Sequence, residues 1–200
     1  MSGKSKGGDF EREIAVKLSL WFTENKRDDI FYRSQSSGAR ATQRNKSKKT
    51  TEGQYGDIAA TCKEGESLIK IWSIECKTGY SSKSKLKDGT KKITNWDILD
   101  LLDSKSQEPM FAQMWNQCVI DAEISTREPI LIFRRERKLP LICITGQYYS
   151  RLTNWFNIPG FMKIHFDLSN LYYPYNKVAI IKLDDFLKWV NPNTLTMIKE

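Results

Sequence analysis

The chain has 200 residues, 40% of them hydrophobic and 12% aromatic, which is enough to bury the core of one domain, with or without a small extension. Its net charge of +8 favours a polyanionic partner, with nucleic acid ahead of an anionic membrane. The longest apolar runs are far shorter than the ~18 residues of a membrane span, and the polar N-terminus lacks the apolar centre of a secretory leader. We therefore expect a cytoplasmic protein that does not bind membranes.

The cysteines and the histidine argue against a zinc site. The chain has one histidine and four cysteines, and no two cysteines form a C-x-x-C pair. Three of the cysteines lie in apolar runs, which predicts buried free thiols of an intracellular protein. His165 alternates with apolar neighbours in a strand-like run, so a structural role is favoured over a catalytic one. The four cysteines are Cys62, Cys76, Cys118 and Cys143.

The N-terminal part predicts a flexible segment, a helix and a short strand, in that order. Residues 1–8 are rich in glycine, serine and lysine, which is typical of a mobile terminus. Asp9 is a candidate N-cap for a helix that runs to about Thr23 and buries one apolar stripe. Glu11 lies beside this stripe, where an acidic residue ordinarily offsets the helix dipole. A strand follows at residues 30–33. The stripe consists of Phe10, Ile14, Leu18, Trp21 and Phe22.

A predicted β-hairpin carries the side chains that best suggest chemistry. Two β-prone runs flank the turn-like Gly65-Glu66-Ser67. A three-residue loop at this point places Asp57 directly opposite Glu75, with their Cβ atoms about 4.5–5.5 Å apart. Because side chains alternate along a strand, Lys77 shares the face of Glu75, and Cys76 points to the other side.

The predicted proximity of two carboxylates suggests a cation between them. Two such groups repel each other unless a cation or a proton separates them. Two hard oxygen ligands and an ammonium group suit a Mg²⁺ or Mn²⁺ ion that activates water. The alternative is an exposed hairpin with an ordinary salt-bridged surface, because an Asp paired with a Glu-x-Lys is a short pattern.

Two basic stretches bracket this hairpin. Residues 39–55 precede it and residues 78–92 follow it, and neither has apolar periodicity. Each stretch is either solvated disorder or a phosphate-binding segment, and its position beside the acidic pair favours phosphate contact. The cations of the two stretches are Arg40, Arg44, Lys46, Lys48, Lys49, Lys83, Lys85, Lys87, Lys91 and Lys92.

The second half of the chain predicts alternating helices and strands. A helix at 109–125 has one apolar side, and Gln113 and Gln117 lie one turn apart near that side. Two strands joined by the charged turn 134–138 form a hairpin. Helices are predicted at 96–102, 146–156 and 184–190, and strands at 129–133, 139–145, 162–168 and 178–183. The apolar side of helix 109–125 consists of Phe111, Met114, Trp115, Cys118, Val119 and Ala122.

The order of these pieces resembles the PD-(D/E)xK nuclease superfamily, and in detail the archaeal Holliday-junction resolvases. The resemblance covers roughly residues 7–145. It implies an α/β restriction-endonuclease-like core at 9–145, a central mixed β-sheet flanked by helices in the order α-β-β-β-α-β. A C-terminal α/β extension at 146–200 would pack on that core. The matching motifs are Gly8–Glu13, Arg33 with Ser36-Ser37-Gly38, Gly56–Ala60 and Ile74–Lys77.

The resemblance also implies roles for individual residues. Asp57 and Glu75 would ligate Mg²⁺ or Mn²⁺ with help from the Cys76 carbonyl. Glu11 would bind or orient a metal-bound water, and Lys77 would hold the attacking water. Arg12, Arg33 and Ser37 would contact the DNA backbone, and the basic stretches would add further phosphate contacts. Gln113 would have an ancillary role in the active site.

By this resemblance the chain would be a metal-dependent DNA endonuclease, structure-specific and homodimeric. It would act on branched or duplex DNA in recombination or repair, without a small-molecule cofactor. The chain departs from a compact resolvase in three places. Gly56 stands where the signature often has proline, the stretches at 39–55 and 78–95 are longer, and the region after Gly146 is extra. A sequence-specific restriction enzyme, a phage or mobile-element nuclease, and a nucleic-acid-binding module without catalysis are the alternatives.

Overall fold

The computed structural model describes residues 3–34, 56–78, 84–85, 91–92, 110–135, 137–158, 161–165 and 174–198. The elements of the first half are α1 (Gly3–Phe22), β1 (Phe31–Arg33), β2 (Ile58–Ala60), α2 (Lys63–Ile69), β3 (Trp72–Thr78), β4 (Ser84–Lys85) and β5 (Lys91–Lys92). The elements of the second half are α3 (Met110–Ser125), β6 (Glu128–Arg134), β7 (Leu141–Thr145), α4 (Gly146–Thr153), β8 (Phe161–His165), β9 (Lys177–Lys182), α5 (Leu183–Trp189) and α6 (Pro192–Met197).

A five-stranded mixed sheet forms the centre of the fold. Its strand order is β3-β6-β7-β9-β8, with β3 parallel to β6 and the other neighbours antiparallel. The strands β1 and β2 pair separately as a short antiparallel ribbon, and β4 and β5 form another. The mixed sheet and its flanking helices confirm the predicted α/β restriction-endonuclease-like class. In the described part of the chain, no helix is long and apolar enough to cross a bilayer.

The apolar side chains pack on both faces of the sheet. Alternation along β6 sends Ile130 and Ile132 into a cluster with α1, and Leu131 and Phe133 into a cluster with α3. The stripes predicted on helices α1 and α3 are buried apart from Trp21, which is partly buried. Full burial of such a side chain is worth about 1.5–3 kcal/mol, so these two clusters fix both helices against the sheet.

A buried tryptophan links β3 to the C-terminal helices. Trp72 is fully buried, stacks on Trp21 with ring centroids 5.9 Å apart, and donates its indole N–H to the hydroxyl of Tyr148 at 2.7 Å. Burial raises the pKa of Tyr148, so its hydroxyl keeps its proton at neutral pH. The hydrogen bond therefore satisfies a donor that has no access to water.

We expect Tyr148→Phe to lower the free energy of unfolding by about 1–3 kcal/mol, because the buried indole N–H of Trp72 would lose its acceptor. The midpoint of urea unfolding measures this change. Tyr149→Phe is the control, because the neighbouring hydroxyl does not bond Trp72. Equal losses in the two variants would contradict the assigned role of the Trp72–Tyr148 hydrogen bond.

The structure corrects the predicted hairpin at 56–77. A helix, α2, replaces the predicted turn, β2 pairs with β1, and β3 pairs with β6. Leu68 and Ile69 are buried, and Glu64 and Glu66 lie in the first turn of α2, where they offset the helix dipole. Gly65 serves close packing, because a Cβ there would lie 2.8 Å from Ile30.

Other boundaries also differ from the predictions. Helix α1 begins at Gly3 rather than at Asp9, and Asp9 forms an ion pair with Arg12 at 2.7 Å. The ribbon of β4 and β5 lies in a stretch predicted as loop, and α6 was not predicted. The predicted helix at 96–102 and the turn at 35–38 lie outside the described residues. The division at 1–8, 9–145 and 146–200 stays a prediction, although β8 and β9 belong to the same sheet as β3.

Candidate active site

The backbone of Asp57 is fixed against the free edge of β3. Its N–H donates to the Ile74 carbonyl at 2.7 Å, and its own carbonyl accepts the Ser34 N–H at 2.8 Å. Its carboxylate oxygen Oδ2 accepts the backbone N–H of Cys76 at 2.8 Å. Three hydrogen bonds therefore hold the Asp57 carboxylate beside Glu75.

The residue before Asp57 has to be glycine. Gly56 has φ of +82°, and a Cβ there would lie 2.5 Å from the Ile74 carbonyl oxygen. The Ser34 hydroxyl donates to the Gly56 carbonyl at 2.8 Å, which fixes the same peptide from the other side. Because no L side chain fits between Gly56 and β3, glycine sets how closely Asp57 approaches the strand.

Glu75 and Lys77 form a pair on the face of β3 that α3 covers. Glu75 is level with Leu131 of β6, which packs under α3. The Lys77 ammonium donates to Glu75 Oε1 at 2.5 Å and to Gln117 Oε1 at 3.0 Å. The ammonium therefore lies between strand β3 and helix α3, held from both.

Helix α1 supplies the third carboxylate. Glu11 accepts a hydrogen bond from the Arg33 guanidinium, so an ion pair joins α1 to β1. Arg12 is exposed, and it lines, together with Arg33, a surface pocket of about 640 Å³ that also includes Tyr32. The two arginines predicted to contact phosphates thus lie on one surface next to Glu11.

The carboxylates of Glu11, Asp57 and Glu75 are buried and close enough for the charge of one to affect the pKa of another. Only 8% of Glu11, 5% of Asp57 and 6% of Glu75 is exposed. Burial raises the pKa of Asp57 well above its usual range, and the charges of Glu75 and Glu11 raise it further. Burial also raises the pKa of Glu75, and the neighbouring Lys77 ammonium opposes that shift. A cation bound between Asp57 and Glu75 would relieve the repulsion between these two carboxylates.

A family match covers nearly the whole chain and agrees with this geometry. Residues 2–197 match the family described as "Phage putative PDDEXK endonuclease". The chain belongs to this family. No curated protein and no solved structure matches the chain. The match confirms the resemblance to the PD-(D/E)xK nuclease superfamily, whereas the finer resemblance to Holliday-junction resolvases is not confirmed.

PDDEXK endonucleases generally use divalent metals, and the residues present suit one. Among the residues that the structure describes, no three His, Cys, Asp or Glu side chains form a cluster able to hold an ion. Mg²⁺, however, is usually bound by one or two carboxylates and keeps several waters. Asp57 Oδ1 receives no hydrogen bond from the described residues, and Glu75, a second buried acid with a raised pKa, lies beside Asp57. This donor set fits Mg²⁺ or Mn²⁺.

The remaining predicted residues fall into two groups. The Cys76 side chain is buried in the α1 cluster, so only its carbonyl remains a candidate ligand. Gln113 is exposed on α3, one turn before Gln117. Lys85 belongs to β4. The predicted DNA contacts that lie outside the described residues are Ser37, Arg40, Arg44, Lys46, Lys48, Lys49 and Lys83.

Sequence reasoning did not assign the residues that surround Lys77. Gln117 bonds its ammonium, and Asp121 lies one turn further along α3, close enough for its charge to raise the pKa of Glu75. The i, i+4 spacing of Gln117 and Asp121 on the edge of the apolar stripe was the available signal. This spacing could be related to the site only after the register of β3 and β6 had placed Glu75 under α3.

Proposed function

We propose that this member of the PDDEXK family is a DNA endonuclease that depends on a divalent metal and uses Glu11, Asp57, Glu75 and Lys77. The supporting observation is the approach of Asp57 to Glu75 at the edge of β3. The Cys76 N–H fixes Asp57 there, and the Lys77 ammonium binds Glu75. A basic chain with two buried carboxylates beside an ammonium group suits hydrolysis of a polyanionic ester.

In the proposed mechanism Asp57 and Glu75 would hold the ion, with the Cys76 carbonyl as a further candidate ligand. The bound metal supplies polarisation of the phosphate and a water of lowered pKa. The attacking water gives up a proton to solvent as its oxygen bonds to phosphorus, the P–O ester bond on the opposite side breaks, and the leaving oxygen takes up a proton from solvent. Lys77 donates a hydrogen bond to the attacking water or to a phosphate oxygen, and Gln117 keeps its ammonium in place.

The finer substrate preference is a separate part of the proposal. The family description favours a phage nuclease. The resolvase-like motifs favour branched DNA cut by a homodimer, whereas the long stretches at 39–55 and 78–95 depart from a compact resolvase. A restriction-type enzyme with the same core would instead recognise sequence in unbranched duplex.

The decisive measurement is a parallel digestion of a four-way junction, a linear duplex, a single strand and a flap, each with Mg²⁺, with Mn²⁺ and with EDTA. We expect metal-dependent cleavage that prefers the branched substrates, because the cationic surface suits several converging phosphate backbones. Discrete fragments from the linear duplex would indicate a restriction-type enzyme. Binding without cleavage under every metal condition would leave only a DNA-binding module.

A further inference from the structure

The connection between β6 and β7 contains a third cationic segment, apart from the basic stretches at 39–55 and 78–92. We define the β6–β7 turn as residues 134–138, which read Arg-Arg-Glu-Arg-Lys. Four of its five residues are cations, a density that a turn does not need for solubility alone. The structure describes Arg134, Arg135, Arg137 and Lys138 of this turn.

The sheet register places this turn at the same edge as the candidate site. Strands β3 and β6 are parallel, so they leave the sheet in the same direction. Lys77 is level with Phe133, and Thr78 with Arg134, at the usual strand spacing of about 4.8 Å. The Thr78 hydroxyl donates to the Arg134 carbonyl at 3.1 Å. The β6–β7 turn therefore begins beside the strand that carries Glu75 and Lys77.

The cations of the turn differ in what they contact. Arg134 bonds Glu13 of α1 at 2.7 Å, and its guanidinium lies 4.5 Å from the centre of the Phe10 ring. Arg137 and Lys138 are exposed, and neither forms an ion pair with another described residue. Arg134 therefore fixes the start of the turn to α1, whereas Arg137 and Lys138 present their charges to solvent.

The backbone conformation gives an independent indication. Arg137 has φ of +60°, in the left-handed region that glycine enters freely and arginine only at a cost. Glycine would suit the backbone of the turn better than arginine does. A long cationic side chain at a position that favours glycine suggests that the side chain is needed for binding.

We propose that the β6–β7 turn binds the phosphate backbone of DNA beside the bond that is cut, through Arg137 and Lys138. This inference rests on the proposed function, because it takes DNA as the ligand. Successive phosphates of one strand are about 3.4 Å apart along the helix axis, so a turn that begins next to Lys77 reaches phosphates within a few nucleotides of the site. Arg134 acts as a positioning residue through Glu13 and Phe10.

The test is the salt dependence of duplex binding, measured in EDTA so that no cleavage occurs. We expect Arg137→Gly and Lys138→Gln each to weaken binding and to reduce the slope of log K against log salt by about 0.9, the value for one lost phosphate contact. Arg137→Gly should leave Tm unchanged or raise it, because the left-handed backbone is relieved. A residue needed only for the fold would lower Tm and leave the salt slope unchanged.

Two matched controls come from the chain itself. Lys26→Gln removes one exposed cation that lies beyond the C-terminal end of α1, where it pairs with Glu24 at 3.6 Å. Thr126→Gly relieves a residue with φ of +54° at the opposite end of β6 from the turn. Both controls should keep the wild-type salt slope. A shift of the slope in Lys26→Gln equal to that in Lys138→Gln would overturn the proposal, because any cation would then have the same effect.

The outcomes separate this inference from the proposed function. Wild-type slopes in both Arg137→Gly and Lys138→Gln, in a protein that binds and cleaves DNA, would overturn the role of the turn alone. Reduced slopes in a protein that never cleaves would support the turn and overturn the nuclease. Absence of DNA binding by the wild-type protein at any salt concentration would overturn both.

Discussion

Asp57→Asn is expected to reduce metal-dependent cleavage by about 1,000-fold or more while raising the Tm of the metal-free protein. The loss follows from removing one of the two carboxylates proposed to hold the ion. The gain follows because Asp57 is buried beside Glu75, which raises its pKa and makes its ionised form costly in the folded state. The amide oxygen of asparagine still accepts the Cys76 N–H.

The pH dependence of the Tm difference has a definite sign. An acid whose folded-state pKa is raised destabilises the folded state increasingly as pH rises from its ordinary pKa through the folded-state pKa. The stability advantage of Asp57→Asn should therefore disappear below about pH 4, where aspartate is protonated in both states, and be largest at neutral pH. Melting curves in EDTA at several pH values measure it.

Metal binding gives a readout that is independent of cleavage. Mg²⁺ or Mn²⁺ at about 100 times its dissociation constant should add about 2.7 kcal/mol to the stability of the wild-type protein, and little to that of Asp57→Asn. Asp184→Asn is the control, because Asp184 pairs with Lys17 on an exposed surface. Wild-type cleavage rates in purified Asp57→Asn would refute the assigned role of Asp57.

Gly56→Ala is expected to lower the free energy of unfolding by about 3 kcal/mol and Tm by about 6–12 °C. The added methyl group would lie 2.5 Å from the Ile74 carbonyl oxygen, on a backbone with φ of +82°. Neither the ribbon of β1 and β2 nor β3 can move without breaking the hydrogen bonds that hold Asp57. The expected damage is therefore to stability and to metal binding together.

Gly146→Ala provides the comparison for Gly56→Ala. Gly146 begins α4, and an added Cβ would lie 3.3 Å from the nearest atom, a side-chain carbon of Lys177. A change within about 1 kcal/mol is expected there, because alanine suits a helix and the contact is only slightly tight. Similar Tm losses in the two variants would show that Gly56 has no special role.

The α3 stripe and the β6–β7 hairpin were predictable because their apolar periodicity is clear and their burial is local. The antiparallel pairing of β6 with β7 and the helix at 146–156 follow from the same signals, although the helix ends at Thr153. The parallel pairing of β3 with β6 could not be predicted from the sequence, because the paired residues are more than fifty positions apart and no local pattern specifies that partner.

The turn-like Gly65-Glu66-Ser67 misled the prediction because glycine has two uses. In a turn it supplies left-handed backbone, and in α2 it supplies room against Ile30 and Phe31. A hairpin and the observed arrangement both bring Asp57 to the edge of β3. The prediction that Asp57 lies near Glu75 was therefore correct, although the strand pairing on which it was based was wrong. The catalytic roles of both residues stay predictions.

The hydrogen bonds between Ser34 and the Gly56-Asp57 pair have an evolutionary consequence. The Ser34 hydroxyl bonds Gly56 and its N–H bonds Asp57, so the two ends of the intervening insertion are tied together independently of its contents. Lengthening a tied loop costs only about 0.6 kcal/mol per doubling. Mutations between residues 34 and 56 can therefore change the length or composition of that stretch without displacing Asp57 from the edge of β3.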